Sequence, residues 1–175
     1  MKDWIVEHVT PSSHPFIVEI GSGNGNLLFS LLEEGYAANH MAGVDYSPDA
    51  IRLSRSIAQA KSGEGITFEV SDFLNDPLLK LDGMHEQGWD LVLDKGTYDA
   101  IALAEKDETG KKPCDAYPSR IAAVVKPNGY FLITCEFQSI VHSSIVDSEY
   151  LLACNFTYDE LLRNFASQST GLRFL

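Results

Sequence analysis

Val18-Glu19-Ile20-Gly21-Ser22-Gly23-Asn24-Gly25-Asn26 decides the fold class. The short β-branched run Phe16–Ile20 stops at a glycine-rich turn. Asn26–Glu34 follows with Leu27, Leu28, Leu31 and Leu32 at helical spacing, and Gly35 suits the helix end. Strand, glycine turn and helix open an α/β unit in which the backbone approaches a ligand closely. A dinucleotide fingerprint, G-x-G-x-x-G, seats a pyrophosphate on the helix start. Here the third glycine comes one residue early, at Gly25, and Asn26 holds the position that fingerprint needs. Glu19, two residues before the first glycine, would repel a pyrophosphate and attract an ammonium group.

Working outward, strand-like and helix-like stretches alternate along the chain. Met41–Asp45 reads as a second strand. Ser47-Pro48-Asp49 then supplies an N-cap, a first helical residue and a first-turn acid for a helix to about Lys61. Ile66–Val70 is a third strand. Trp89–Leu93 is a fourth, apolar enough for burial on both faces. Tyr117–Val125 reads as a helix, Lys126-Pro127-Asn128-Gly129 as a turn and Tyr130–Thr134 as a fifth strand. Thr157–Ala166 is a last amphipathic helix, with Thr157 as N-cap and Glu160 completing a capping box. Leu172–Leu175 would begin a sixth strand. The alternation predicts an α/β fold: a mostly parallel, doubly wound sheet with helices on both faces. Ligands bind such sheets at the carboxyl ends of the strands, so functional residues are expected just after Ile20, Asp45, Val70 and Leu93.

Acids stand at those ends. The E-x-G-x-G-x-G pattern of Glu19, Gly21, Gly23 and Gly25 suits S-adenosylmethionine, which carries an amino-acid end and a sulfonium in place of phosphates. Asp45, with Tyr46 after it, closes the second strand and can accept from both ribose hydroxyls. Asp72 can accept from an adenine amino group, and Phe73 can offer a backbone donor and an apolar face. Asp94, in Leu93-Asp94-Lys95-Gly96-Thr97-Tyr98-Asp99-Ala100-Ile101, is expected beside the methionine end and an incoming amine, with Tyr98 offering that amine a ring face. Each acid alone reads first as a solvated strand end or a helix cap, and Tyr98 reads equally as packing beneath the next helix. Three acids on successive strand ends beside a glycine turn form a constellation. Lys95 takes no assigned role.

Composition narrows the classes. The 175 residues suit one domain spanning the chain. Hydrophobic residues at 45% and charged residues at 22% exclude a disordered or fibrous chain. The net charge of −12 argues against nucleic acid and for a cationic substrate group or a basic partner. No apolar run without Gly or Pro is longer than Ile121–Val125, far short of a membrane span. No secretory signal is evident at Met1-Lys2-Asp3-Trp4, which with reduced Cys114, Cys135 and Cys154 predicts a cytoplasmic protein. The five histidines lack metal spacing, and no G-x-S-x-G is present.

The stretches Glu19–Gly25, Gly43-Val44-Asp45-Tyr46-Ser47, Ser71-Asp72-Phe73 and Leu93–Ile101 resemble the motifs of the seven-strand, Rossmann-like (class I) S-adenosylmethionine-dependent methyltransferases. Asp94-Lys95-Gly96-Thr97-Tyr98-Asp99-Ala100, together with Cys154-Asn155-Phe156-Thr157, resembles the protein-lysine methyltransferases of translation elongation factor 1-alpha. The resemblance implies S-adenosylmethionine as cofactor. Gly21, Gly23 and Gly25 would shape its loop, with Glu19, Asp45, Asp72 and Asp94 around it. Ser22, Tyr46 and Phe73 join them as cofactor-binding candidates, and Asp94 and Tyr98 are the catalytic candidates. It also implies a folded protein substrate, a methylated lysine side chain and a cytosolic setting. A monomer is expected, with neither nucleic acid nor membrane as partner. Against the family pattern, an amino-terminal lid and the final β-hairpin are expected to be absent. Cys135–Ala153 reads as an insertion or a retained intron. A small-molecule N- or O-methyltransferase and a non-catalytic cofactor-binding isoform are the alternatives.

Overall fold

The structure, a computed structural model, describes residues 1–84, 88–106, 108, 110–134, 158–166, 170 and 172. Five parallel strands form one sheet: β1 (Ile17–Ile20), β2 (Met41–Asp45), β3 (Thr67–Val70), β4 (Trp89–Lys95) and β5 (Val125–Thr134), in the order β3-β2-β1-β4-β5. The chain builds outward from β1 to β3, then returns to the other side of β1 with β4. The strand order therefore reverses between β1 and β4, where an open α/β sheet forms its ligand crevice. Ile20 pairs with Asp94 across that junction.

Helices cover both faces: α1 (Lys2–His8), α2 (Asn26–Glu33), α3 (Pro48–Ala60), α4 (Thr97–Ala102), α5 (Tyr117–Val124) and α6 (Tyr158–Phe165). Side chains alternate across a strand, so the core divides in two. Val18, Ile20, Val44 and Val92 pack with Tyr98, Tyr117, Ile121 and Phe165 on the α5 and α6 side. Ile17, Met41, Leu91 and Leu93 pack with Ile5, Leu28, Phe29 and Ile51 on the side of α1, α2 and α3. Complete burial of such an aliphatic side chain contributes about 1.5–3 kcal/mol, which explains why β1 and β2, buried at every position, are apolar except at Glu19 and Asp45.

Ser47 caps α3, accepting from the Ala50 N–H at 3.3 Å, with Pro48 as the first helical residue. Three differences from the sequence reading stand out. The Lys126–Gly129 turn lies inside β5, which begins at Val125. Trp89 pairs with Val125 and Leu91 with Tyr130, so the turn is an irregularity opposite Asp90. Asn128 adopts φ 63° there, and Lys126 forms an ion pair with Asp90. The α1 helix has no counterpart in the sequence reading; it is anchored by Ile5, which is fully buried. Leu172 lies outside any strand and packs against the α5–α6 core. The rest of the expected sixth strand, Thr157 with its capping role, the Cys135–Ala153 segment and Cys154-Asn155-Phe156-Thr157 lie outside the described residues.

Among the described residues, no helix is long and apolar enough to cross a membrane, and no group of three or more His, Cys, Asp or Glu side chains is placed to hold a metal.

Candidate active site

The turn after β1 is built from three left-handed glycines: Gly21, Gly23 and Gly25, with φ of 67°, 54° and 79°. Their surroundings differ. A methyl group on Gly21 would collide with the Thr97 hydroxyl, which donates to the Ile20 carbonyl at 2.8 Å and ties α4 to the end of β1. A methyl on Gly25 would come within 2.7 Å of the Phe68 ring. A methyl on Gly23 would meet nothing within 4 Å. Gly23 is thus the point where the loop leaves room above itself, and Gly21 and Gly25 are where it is pressed against the fold. Between them, the Ser22 N–H donates to the Val44 carbonyl at 3.0 Å, and the Gly25 N–H donates back to Ser22 at 2.8 Å.

Two carboxylates lie beneath this loop. Glu19 alternates with Val18 and Ile20, and Asp45 with Val44. Both therefore project to the α2–α3 side of the sheet at the strand ends. Asp45 Oδ2 accepts from the Gly23 N–H at 2.9 Å, and Oδ1 accepts from the Ser47 N–H at 2.9 Å. One carboxylate thus fixes the glycine loop and the start of α3, and each oxygen keeps a second lone pair. Glu19 is 4% exposed, and its Oε2 has no hydrogen-bond partner. Burial pushes its carboxyl up to about 8; the Lys95 charge opposes the shift, while Asp94 and Asp45 add to it. The Ser22 hydroxyl is likewise buried without a partner. Most buried polar groups in folded proteins are satisfied. Two orphaned groups under a glycine loop therefore mark a place built to meet something else.

Asp94 lies inside the fold. Sequence alone set it beside the methionine end and the incoming amine. In the structure it is 0% exposed and faces the α5 side, in phase with Val92. Its Oδ1 accepts from the Thr97 N–H at 2.7 Å, and Oδ2 accepts from the Tyr98 N–H at 3.0 Å and the Tyr117 hydroxyl at 2.5 Å. Those bonds cap the first turn of α4, so Asp94 orders the turn and does not line its surface. Burial raises its carboxyl to about 6 against the pull of these donors.

Tyr98 lies inside the fold as well. It is 2% exposed, with its ring 5.2 Å from Tyr117 and 5.0 Å from Phe165. Its hydroxyl accepts from Asn164 Nδ2 at 3.0 Å, and burial pushes it up to about 12. The ring packs in the core with Tyr117 and Phe165.

Asp72 is exposed and turns back on its own loop, accepting from the Leu74 N–H at 3.0 Å and Asn75 Nδ2 at 2.7 Å. The Phe73 ring lies 5.3 Å from Tyr117 and 5.5 Å from the Arg120 guanidinium. Tyr46 stands 83% exposed beyond the end of β2.

The structure thus gathers Glu19, Gly21, Ser22, Gly23, Gly25 and Asp45 into one cradle at the switch point. Asp72 and Tyr46 stand at its outer end, and Asp94 and Tyr98 lie beneath it. Sequence reasoning missed Thr97, Tyr117 and Arg120, which tie the cradle's parts together. Thr97 had a signal in its place directly after Gly96 in a strand-end motif. Tyr117 and Arg120 had none, because their partners lie 23 and 47 residues away in sequence.

The arrangement fits an amino-acid-bearing nucleoside. Glu19 offers a buried, unpartnered carboxyl oxygen to an ammonium, Asp45 offers lone pairs to hydroxyls, and Gly23 leaves space for a close approach. It does not resemble a pyrophosphate site, which needs donors and not carboxylates.

A family model described as a methyltransferase domain matches residues 12–166. The protein-lysine N-methyltransferase efm4 of Schizosaccharomyces pombe is 33% identical, over 93% of this chain and 63% of its own length. The human EEF1A lysine methyltransferase 2 is 34% identical, over 93% of this chain and 57% of its own length. The chain thus spans between about half and two thirds of the curated relatives it matches. Among solved structures, the glycopeptide N-methyltransferase MtfA complexed with S-adenosyl-L-methionine superposes with a TM-score of 0.56 at 16% identity, covering 75% of this chain and 51% of that one. The [4+2]-cyclase SpnF gives 0.64 at 14% identity, covering 94% and 55%. At such identities these two share the fold alone.

Proposed function

The chain belongs to the methyltransferase-domain family, and from that premise we propose that it is an S-adenosylmethionine-dependent protein-lysine N-methyltransferase acting on translation elongation factor 1-alpha. The observation that carries the reading is the buried, unpartnered Glu19 Oε2 beneath a three-glycine loop at the switch point. The named activity of the relatives supplies the substrate.

When bound, S-adenosylmethionine supplies an electrophilic methyl group on a sulfonium. Glu19 would hold its ammonium end, ionising as it does so. Asp45 would accept from the ribose hydroxyls while keeping the loop bonded through the Gly23 N–H. Asp72, Phe73 and Tyr46 flank the nucleoside end. Asp94 and Tyr98 act as positioning residues: Asp94 fixes the Gly96–Tyr98 turn, and Tyr98 packs that turn on α5 and α6. A lysine side chain must arrive as the neutral amine, which partial desolvation at the cleft mouth favours. In-line transfer then depends mainly on positioning. The excess of acidic residues suits a basic docking surface on the substrate.

The test is incubation with methyl-labelled cofactor and purified elongation factor 1-alpha, followed by mass spectrometry of its peptides. Label on a lysine of that protein is expected. Label confined to small metabolites would replace the reading with a small-molecule methyltransferase. Cofactor binding with no turnover on any protein extract would replace it with a non-catalytic chain.

A further inference from the structure

Helix α5 carries two side chains that reach opposite ends of the cradle. Tyr117 and Arg120 are three residues apart and so share a helix face. Arg120 Nε donates to the Phe73 carbonyl at 2.8 Å, and its Nη2 donates to the Asp76 carbonyl at 2.5 Å. The same guanidinium lies over the Phe73 ring, 5.5 Å from its centroid. The loop it grips is further closed by the Asp72 N–H on Asp76 Oδ2 at 2.7 Å. Tyr117, fully buried, donates to Asp94 Oδ2 at 2.5 Å and packs on both Phe73 and Tyr98. Each residue grips one site-forming segment, and Phe73 touches both.

We infer that Tyr117 and Arg120 form a clamp that couples the 72–76 loop, at the nucleoside end of the cradle, to the 94–98 turn, at its acceptor end. Three features support the coupling. The linking groups form one contiguous network, within which perturbations are not additive. The fork of Arg120 fixes two carbonyls of one loop at once, a geometry lysine does not reproduce. Asp94 is wholly buried, so the position of the α4 turn follows the donors it meets, and Tyr117 is a donor to it from outside that turn. Both are positioning residues, and assigning the two segments to nucleoside and acceptor ends rests on the proposed cofactor reading.

The test is amide hydrogen exchange on the full chain, comparing the wild type with Arg120→Lys. A merely local role would speed exchange at Leu74, Asn75 and Asp76 alone. The clamp predicts faster exchange there and also at Thr97 and Tyr98, each by about fivefold, the factor for one lost hydrogen bond. Unchanged exchange at Thr97 and Tyr98 would overturn the clamp. In parallel, S-adenosylhomocysteine is titrated into the wild type, Arg120→Lys, Tyr117→Phe and the double variant. The clamp predicts that the double variant binds no more weakly than the weaker single one. Multiplied losses would overturn it. A wild type that fails to bind S-adenosylhomocysteine would remove the cofactor reading and leave the coupling to be decided by the exchange at Thr97 and Tyr98.

Discussion

Replacing Glu19 by Gln should stabilise the unliganded protein while disabling its site. The Glu19 carboxyl is pushed from 4.5 to about 8 by burial, so the folded state resists its ionisation and the unfolded state does not. Below pH 4.5 both states hold the proton and no penalty exists. Between 4.5 and about 8 the unfolded state loses its proton and the folded state keeps it, so stability falls as pH rises. Above about 8 both are ionised and the penalty is constant. Each pH unit within the window is worth about 1.4 kcal/mol, which puts the penalty at pH 7 near 3 kcal/mol, an order-of-magnitude figure from the same relation. Gln fills the same volume and cannot ionise. Urea unfolding at pH 5, 6, 7 and 8 is the assay. The stability gap between Glu19→Gln and wild type should widen from pH 5 to pH 8, while S-adenosylhomocysteine binding by the variant is lost. Parallel pH profiles for the two proteins would refute the reasoning, because they would mean that Glu19 ionises as easily in the fold as in water.

Asp45→Ala should weaken S-adenosylhomocysteine by about 1–3 kcal/mol, the cost of unpairing hydroxyls and the Gly23 and Ser47 N–H groups; calorimetric affinity equal to wild type would remove Asp45 from the site. Tyr117→Phe should lower stability by about 1–2 kcal/mol, because Asp94 loses a buried donor, and it should raise the Asp94 carboxyl above its present value near 6; thermal melts at pH 5 and pH 8 should show the deficit growing with pH. Gly21→Ala should cost the left-handed strain of about 1–2 kcal/mol plus its collision with Thr97, whereas Gly23→Ala should incur the strain alone. A lower melting temperature for the Gly21 variant than for the Gly23 variant is the expected order.

Much of the architecture was legible because its signals are local. The β-branched run at Ile17–Ile20, the apolar stretch Met41–Val44, the Ser47-Pro48 helix start and the glycine turn each declare themselves within a few residues. The Val125–Gly129 segment was not legible in this way. Lys126-Pro127-Asn128-Gly129 has turn chemistry, and only pairing with Trp89 and Leu91 shows that a strand passes through the irregularity. The buried place of Asp94 has a related cause. Its motif position put it at a strand end, which is where it stands, but which face it takes depends on strand alternation against a neighbour. Glu19 and Asp45 fall on the α2–α3 face, while Asp94 falls on the other, beneath α4. Tyr98 follows from Asp94: once the turn folds over that carboxylate, the ring is driven into Tyr117 and Phe165. Arg120 and Tyr117 act across long sequence separations, and neither composition nor spacing marks them.

The central claim is that a buried acid under the glycine loop receives a cationic amino-acid end. Titrating the wild type with S-adenosylhomocysteine at pH 7 in two buffers of different ionisation enthalpy tests it most directly. The account predicts saturable binding that releases close to one proton per site, as Glu19 gives up the proton that burial had made it keep. Binding heats that are identical in the two buffers, or displacement of the ligand by a nicotinamide dinucleotide, would contradict it.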